Sequence, residues 1–121
     1  MGRCRYADWQ PARAGNVQDM TFALLNKLIA KPDQRRQVVD ILLESGKLFP
    51  DNPACHMYMV SEATDDPNVI WVTDVWTSKE SHEEALKAPD LRPLVEKAMP
   101  LLEGMPEQIE IRPVGGVGLP E

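Results

Sequence analysis

Residues 69–102, VIWVTDVWTSKESHEEALKAPDLRPLVEKAMPLL, narrow the possible fold further than any other stretch of this chain. The run opens with Val, Ile, Trp and Thr, side chains that pack well on a pleated surface, and predicts a strand over 69–76. At Thr77 the pattern breaks. Thr77 and Glu80 have the spacing of a capping box, in which a hydroxyl accepts from a first-turn N–H and a carboxylate reaches back to the cap. A mostly polar helix is expected over 78–87. It stops at Ala88-Pro89, and a second helix over 90–102 carries an apolar stripe of Leu91, Leu94, Val95, Ala98, Leu101 and Leu102. Pro93 is tolerated in its first turn, and Pro100 limits its far end.

The flanking residues supply the partners that such a strand needs. Residues 21–30 (TFALLNKLIA) alternate as a first strand whose Phe22, Leu24 and Leu28 share one face with Asn26. An amide on an apolar face must find a hydrogen-bond partner, in the protein, in water or in a ligand. Lys31-Pro32-Asp33 reads as a turn, with Asp33 as N-cap of a helix over 34–45 and Gly46 at its left-handed C-cap. Residues 54–61 (ACHMYMVS) predict the second strand, with Cys55, Met57 and Met59 on one face and His56, Tyr58 and Val60 on the other. The Asp-, Pro- and Asn-rich loop 62–68 joins it to residues 69–76 as an antiparallel hairpin. Gly104 closes the helical part, and 107–112 (EQIEIR) alternate as a fourth strand.

The order βαββααβ, its last two helices acting as one interrupted element, predicts a two-layer α+β sandwich of ferredoxin-like topology. That domain spans 20–114. Residues 1–19 are expected as a flexible leader, with Tyr6 and Trp9 available for packing, and 115–121 as a Gly/Pro tail. Helices on one sheet face leave the other bare, so an apolar outer face calls for a homodimer through the sheet faces.

Composition removes several classes. A chain of 121 residues suits one domain. Its net charge of −6 gives no basic footprint for nucleic acid or an anionic membrane. No apolar run approaches the roughly 20 residues that span a bilayer. Arg3 and Arg5 are not followed by an apolar stretch, so the start does not read as a secretory signal and the expected compartment is cytoplasmic. Cys4 and Cys55 could pair, but thiols in such a chain are expected to stay reduced.

Few residues are left for chemistry. No Gly-rich phosphate loop leads into a helix, no Ser sits in a nucleophile elbow, and His56 and His82 lack metal-ligand spacing, so neither a metal nor another cofactor is expected. His82, one turn into the helix after Trp76, reads either as a solvated imidazole or as a base or donor at the mouth of the sheet–helix space. Trp71 and Trp76 have opposite parity, so one faces the helices and one the outer layer; both are core residues by type, and one is placed to form an aromatic wall. Asp74 shares the face of Trp76 and, if buried, needs a partner or a raised pKa; an edge position is the equal alternative. Arg92 reads as a surface ion-pair partner or as an orienting charge for a phenolate or carboxylate.

The stretch 69–102, with its strand Trp, SKE start, helix and Pro break, and the opening unit FALLNKLIAKPDQRRQVVDIL resemble the antibiotic biosynthesis monooxygenase (ABM) family, including quinol monooxygenases, over roughly residues 20–114. The resemblance implies a dimeric α/β barrel with an apolar pocket between sheet and helices. It implies a monooxygenase that oxidises a quinol or polycyclic phenol, a small aromatic substrate, with O2 and without metal or flavin. His82 and Asn26 would then be catalytic, His82 assisting deprotonation. Trp76, Tyr58, Trp71 and Arg92 would form the substrate-binding set. The chain departs from the family where many members carry histidines, since those slots hold Ala85 and Asp90. The related haem-degrading branch matches at Asn26, but its axial histidine falls on Val95, which cannot ligate iron. A non-catalytic ligand-binding or regulatory barrel, and a purely structural dimer, are the alternatives.

Overall fold

The structure is a computed structural model that describes residues 22–117. The expectations for residues 1–19, including Cys4, Tyr6 and Trp9, and for the last residues of the tail lie outside the described residues. The chain runs β1 (Phe22–Ile29), α1 (Arg35–Gly46), β2 (Cys55–Glu62), β3 (Val69–Trp76), α2 (Lys79–Ala85), α3 (Leu91–Ala98), a 3₁₀ turn (Met99–Leu101) and β4 (Glu107–Ile111). The four strands form one antiparallel sheet in the order β2-β3-β1-β4. This is the α+β ferredoxin-like architecture the alternation predicts. Among the described residues the sheet does not close on itself, and β2 and β4 are its edges.

Register decides which side chains meet. Phe22 pairs with Trp76, Leu24 with Asp74, Asn26 with Val72 and Leu28 with Ile70. Because side chains alternate, these eight share one face, together with Tyr58 opposite Asp74 and Gln108 opposite Asn26. Helix α1 lays Val38 and Val39 on Leu28, Ile70 and Val72, and Leu102 seals the same cluster. A second cluster joins Phe22, Leu24, Phe49 and Trp76. Each fully buried aliphatic or aromatic side chain in these clusters contributes about 1.5–3 kcal/mol relative to exposure. The outer face carries the row Met59, Thr73, Leu25 and Ile109, of which Met59 and Ile109 are exposed.

Several local devices differ from the sequence expectation. The cap of α2 is Ser78, which has extended dihedrals and accepts from Ser81 N at 3.0 Å. Thr77 cannot serve, because its N–H still donates to Ala54 O at 2.9 Å and holds the residue in the sheet. Asp33 is not the cap of α1. It occupies a left-handed turn position, φ 67°, after Pro32, and Gln34 N closes that turn on Lys31 O. Gly46 is helical and not left-handed. It is needed for another reason, since a Cβ there would stand 2.9 Å from the Tyr58 ring. Between Cys55 and Met57 the β2–β3 register shifts by one residue, a bulge at His56. The bulge turns Cys55 to the helix side, against Trp76, instead of aligning it with Met57 and Met59. Pro100 converts the end of the last helix to the tighter 3₁₀ turn.

Candidate functional site

A cavity of about 210 Å3 opens between the helix-facing side of the sheet and α1, α2 and α3. Its walls are mainly apolar, with Leu28, Leu42, Phe49, Val72, Leu86, Leu91 and Val95 among them. Into this surround the strands deliver Asn26, Asp74, Trp76 and Tyr58, and α2 delivers His82.

Asp74 is the hub. The alternation Val72-Asp74-Trp76 puts its carboxyl on the buried face of an inner strand, where it is only 4% exposed. Trp76 Nε1 donates to Oδ2 at 2.6 Å, and Asn26 Nδ2 donates to Oδ1 at 3.1 Å. The same Asn26 nitrogen donates to Val72 O at 3.1 Å. Burial pushes the Asp74 carboxyl above its ordinary range, although the Trp76 hydrogen bond, the nearby His82 and the Asn26 hydrogen bond all oppose that shift. Desolvation wins because it acts on the whole charge, while the two hydrogen bonds recover only part of it.

His82 is 9% exposed, so the solvated alternative is excluded. The Ser78 cap starts α2 early enough for His82, on its first inward turn, to pack between Phe22 and Trp76, with ring centroids 5.3 Å from each. Its Nε2 lies 3.7 Å from Asp74 Oδ2, an electrostatic contact longer than a hydrogen bond. Burial lowers the imidazole pKa from its ordinary value, against the opposing pull of Asp74 and Glu83. The ring is therefore neutral at pH 7 and has a lone pair to offer. His82 also lines a neighbouring cleft of about 310 Å3 with Lys79, Glu83 and Glu110, so it separates the apolar cavity from a polar exit.

The remaining residues divide cleanly. Tyr58 lines the cavity, donates its hydroxyl proton to Leu42 O at 3.1 Å, and has its pKa raised by burial. Trp71 faces the outer layer, with Lys27 Nζ 5.9 Å from its ring centroid, and does not line the cavity. Arg92 points to solvent and pairs with Glu96 at 3.2 Å, one turn along α3, so it too is away from the cavity. Ser45 and Gln108 line the cavity without having been singled out from the sequence. The Cys55 thiol is free, and its pKa is raised by burial and then by Asp74, which leaves it a poor nucleophile. Among the described residues no group of three or more His, Cys, Asp or Glu is placed to hold a metal ion. No helix among them is long and apolar enough to cross a membrane.

Residues 21–97 match the sequence model of a family described as Antibiotic biosynthesis monooxygenase. No curated protein matches the chain. Among solved structures, a protein of Chloroflexus aurantiacus, described provisionally as an antibiotic biosynthesis monooxygenase, is 35% identical, with 83% of this chain and 99% of that one covered at a TM-score of 0.73. A Caulobacter crescentus protein with the same provisional description is 13% identical, covering 86% and 99% at 0.73. A single-residue variant of SnoaB, a cofactor-independent oxygenase from Streptomyces nogalater, is 14% identical, covering 80% and 96% at 0.69. The last two likenesses concern the fold alone.

Proposed function

The chain belongs to the antibiotic biosynthesis monooxygenase family, and on that premise we propose that it oxidises a quinol or polycyclic phenol with O2 in the cavity between sheet and helices. The observation that carries this proposal is His82, a histidine kept neutral by burial at the wall of an apolar cavity and stacked edge-on against Trp76. A neutral imidazole at that point takes the proton of a substrate hydroxyl. The electron-rich anion passes an electron to O2, and the two radicals combine at a ring carbon. Loss of water then gives the product. For a quinol the balance is quinol plus O2 to hydroxyquinone plus water. One ring C–H becomes C–OH, both hydroxyls become carbonyls, and the second oxygen atom leaves as water. All four electrons come from the substrate, so the chemistry draws on no external reductant.

The protein's part is enclosure, orientation and proton handling. Trp76 and Tyr58 form ring walls, Asn26 meets a substrate oxygen, and His82 returns its proton through the polar cleft beside Glu83 and Glu110. The apolar outer row of Met59, Leu25 and Ile109 supports a homodimer that packs sheet against sheet and completes a barrel.

The test is O2 uptake by purified protein over a panel of hydroquinones, naphthoquinols and anthrone-like phenols, with His82→Ala and Asn26→Ala alongside. Uptake above autoxidation is expected for at least one class, falling about 10²–10⁴-fold in the His82 variant. If no compound beats its own autoxidation, the oxygenase proposal fails and a binding role takes its place.

A further inference from the structure

Most of the polar side chains that line the cavity have their protons already committed. Asn26 stands between two acceptors, Val72 O and Asp74 Oδ1, each 3.1 Å from its nitrogen. That surround fixes the orientation of the amide, because the flipped rotamer would set a carbonyl oxygen against two other oxygens. Both N–H bonds are therefore spent, and Oδ1 is what Asn26 offers the cavity. Trp76 has one N–H, and Asp74 takes it. Ser45 Oγ donates to Ile41 O at 3.0 Å, and the Tyr58 hydroxyl to Leu42 O. Each of these hydroxyl oxygens retains lone pairs. Among the described residues, His82 and the exposed Gln108 are the cavity-lining side chains with N–H groups not bonded elsewhere.

From this geometry we infer that the cavity recognises its ligand by accepting hydrogen bonds, so that the ligand must bring a neutral hydroxyl or N–H to Asn26 Oδ1. The inference builds on the proposed reading of the cavity as a substrate site and makes it more specific. Asn26 cannot stabilise a phenolate by donation without breaking its bonds to Val72 and Asp74 on β3. Ionisation is confined to the pole where His82 stands, and the hydroxyl that meets Asn26 binds protonated. A ligand with only carbonyl or ether oxygens sets lone pair against lone pair there. Oxidation of a quinol hydroxyl to a carbonyl thus removes the donor that held the substrate and favours product release.

The test is calorimetric binding of a matched series on one bicyclic ring: 1-naphthol, 1-naphthylamine, 1-methoxynaphthalene, naphthalene and 1,4-naphthoquinone, with the full chain at one pH. Naphthol and naphthylamine should bind about tenfold or more tighter than the ether and the quinone, the loss expected when a buried acceptor is left unpaired. The Asn26→Leu variant should bind the ether and naphthol within about twofold of each other. A folded His82→Phe variant should keep the naphthol preference, since Asn26 is its source, and loss of the preference there overturns the assignment to Asn26. A quinone or ether that binds as tightly as naphthol overturns the inference, as does a naphthol preference retained by a folded Asn26→Leu. Oxygen uptake by the same protein separates the two proposals. The expected ranking without turnover sinks the oxygenase reading alone, and turnover with a reversed ranking sinks the acceptor assignment alone. Absence of binding by every member of the series overturns the acceptor inference, and oxygen uptake alone then decides the oxygenase reading.

Discussion

Replacing Asp74 by Asn keeps the shape of the hub and removes its ability to accept from two donors. In the native structure Oδ1 accepts from Asn26 and Oδ2 from the Trp76 indole, in an environment only 4% exposed. An amide at this position has one oxygen, so either Asn26 or Trp76 faces an NH2 and loses its partner. A buried donor left unsatisfied costs about 1–3 kcal/mol, a substantial part of the roughly 5–15 kcal/mol that holds a domain together. The pH dependence makes the prediction sharper. Burial raises the folded-state pKa of Asp74 above its unfolded value, so this group contributes stability that is fully present below the unfolded pKa and lost as pH rises through the folded one. The variant has no such group. The stability gap between the two proteins should therefore be widest in acid and narrow as the pH rises. His82 titrates in the opposite sense, since its lowered pKa gives stability present above the unfolded value and lost as pH falls, but it stands in both proteins and cancels to first order. Urea unfolding of both proteins in steps between about pH 4 and pH 8 measures the gap. A gap that widens toward alkaline pH would mean that the hydrogen bonds and His82 outweigh desolvation, and the account of the hub would be wrong.

Three further outcomes are expected. Gly46→Ala should destabilise by about 1–2 kcal/mol, because a Cβ 2.9 Å from a Tyr58 ring that is anchored by its hydroxyl overpacks the site by more than the helix propensity gains; a more stable variant in chemical denaturation would show that the ring retreats freely. Arg92→Ala should shift stability by no more than about 0.5 kcal/mol and leave naphthol affinity unchanged, since its partner among the described residues is exposed Glu96; a loss of affinity by calorimetry would return Arg92 to the site. Ile109→Asp should convert the proposed dimer to monomer in light scattering, because it sets a charge at the exposed β4 end of the outer apolar row. A dimer indifferent to that change does not use its sheet face.

Element order was legible because it depends on side-chain period, and the period of the chain's own residues is visible in one dimension. What escaped depends on backbone pairing between distant segments. The cap of α2 moved from Thr77 to Ser78 because Thr77 is still tied to Ala54, a contact 23 residues back in sequence. Cys55 changed sides because of a bulge that no property of Cys55 announces. Gly46 reads in one dimension as a left-handed C-cap, but it is helical, and what excludes a Cβ there is the Tyr58 ring on β2.

The site was legible in the same partial way. Alternation showed that Trp71 and Trp76 face opposite layers, and only the pairing of Phe22 with Trp76 and the packing of Phe49 against it select Trp76 for the helix side. Parity also placed Asp74 beside Trp76, yet left open whether that face was buried. Arg92 sits on α3 beside the apolar stripe, and a rotation of the helix by one position would have brought it inward. Phase at that resolution is set by packing and not by composition. His82 shows the limit most clearly, since a histidine in a short polar helix has no sequence mark of burial, and its role depends on where α2 leaves the sheet. Both buried titratable groups are pushed toward their neutral forms, Asp74 upward and His82 downward. Replacing such a cluster by packed aliphatic residues would avoid its desolvation cost. Packing needs alone therefore do not account for a carboxyl, an amide and an indole locked together beneath a neutral imidazole, which accords with the proposed use of that imidazole and amide at the cavity.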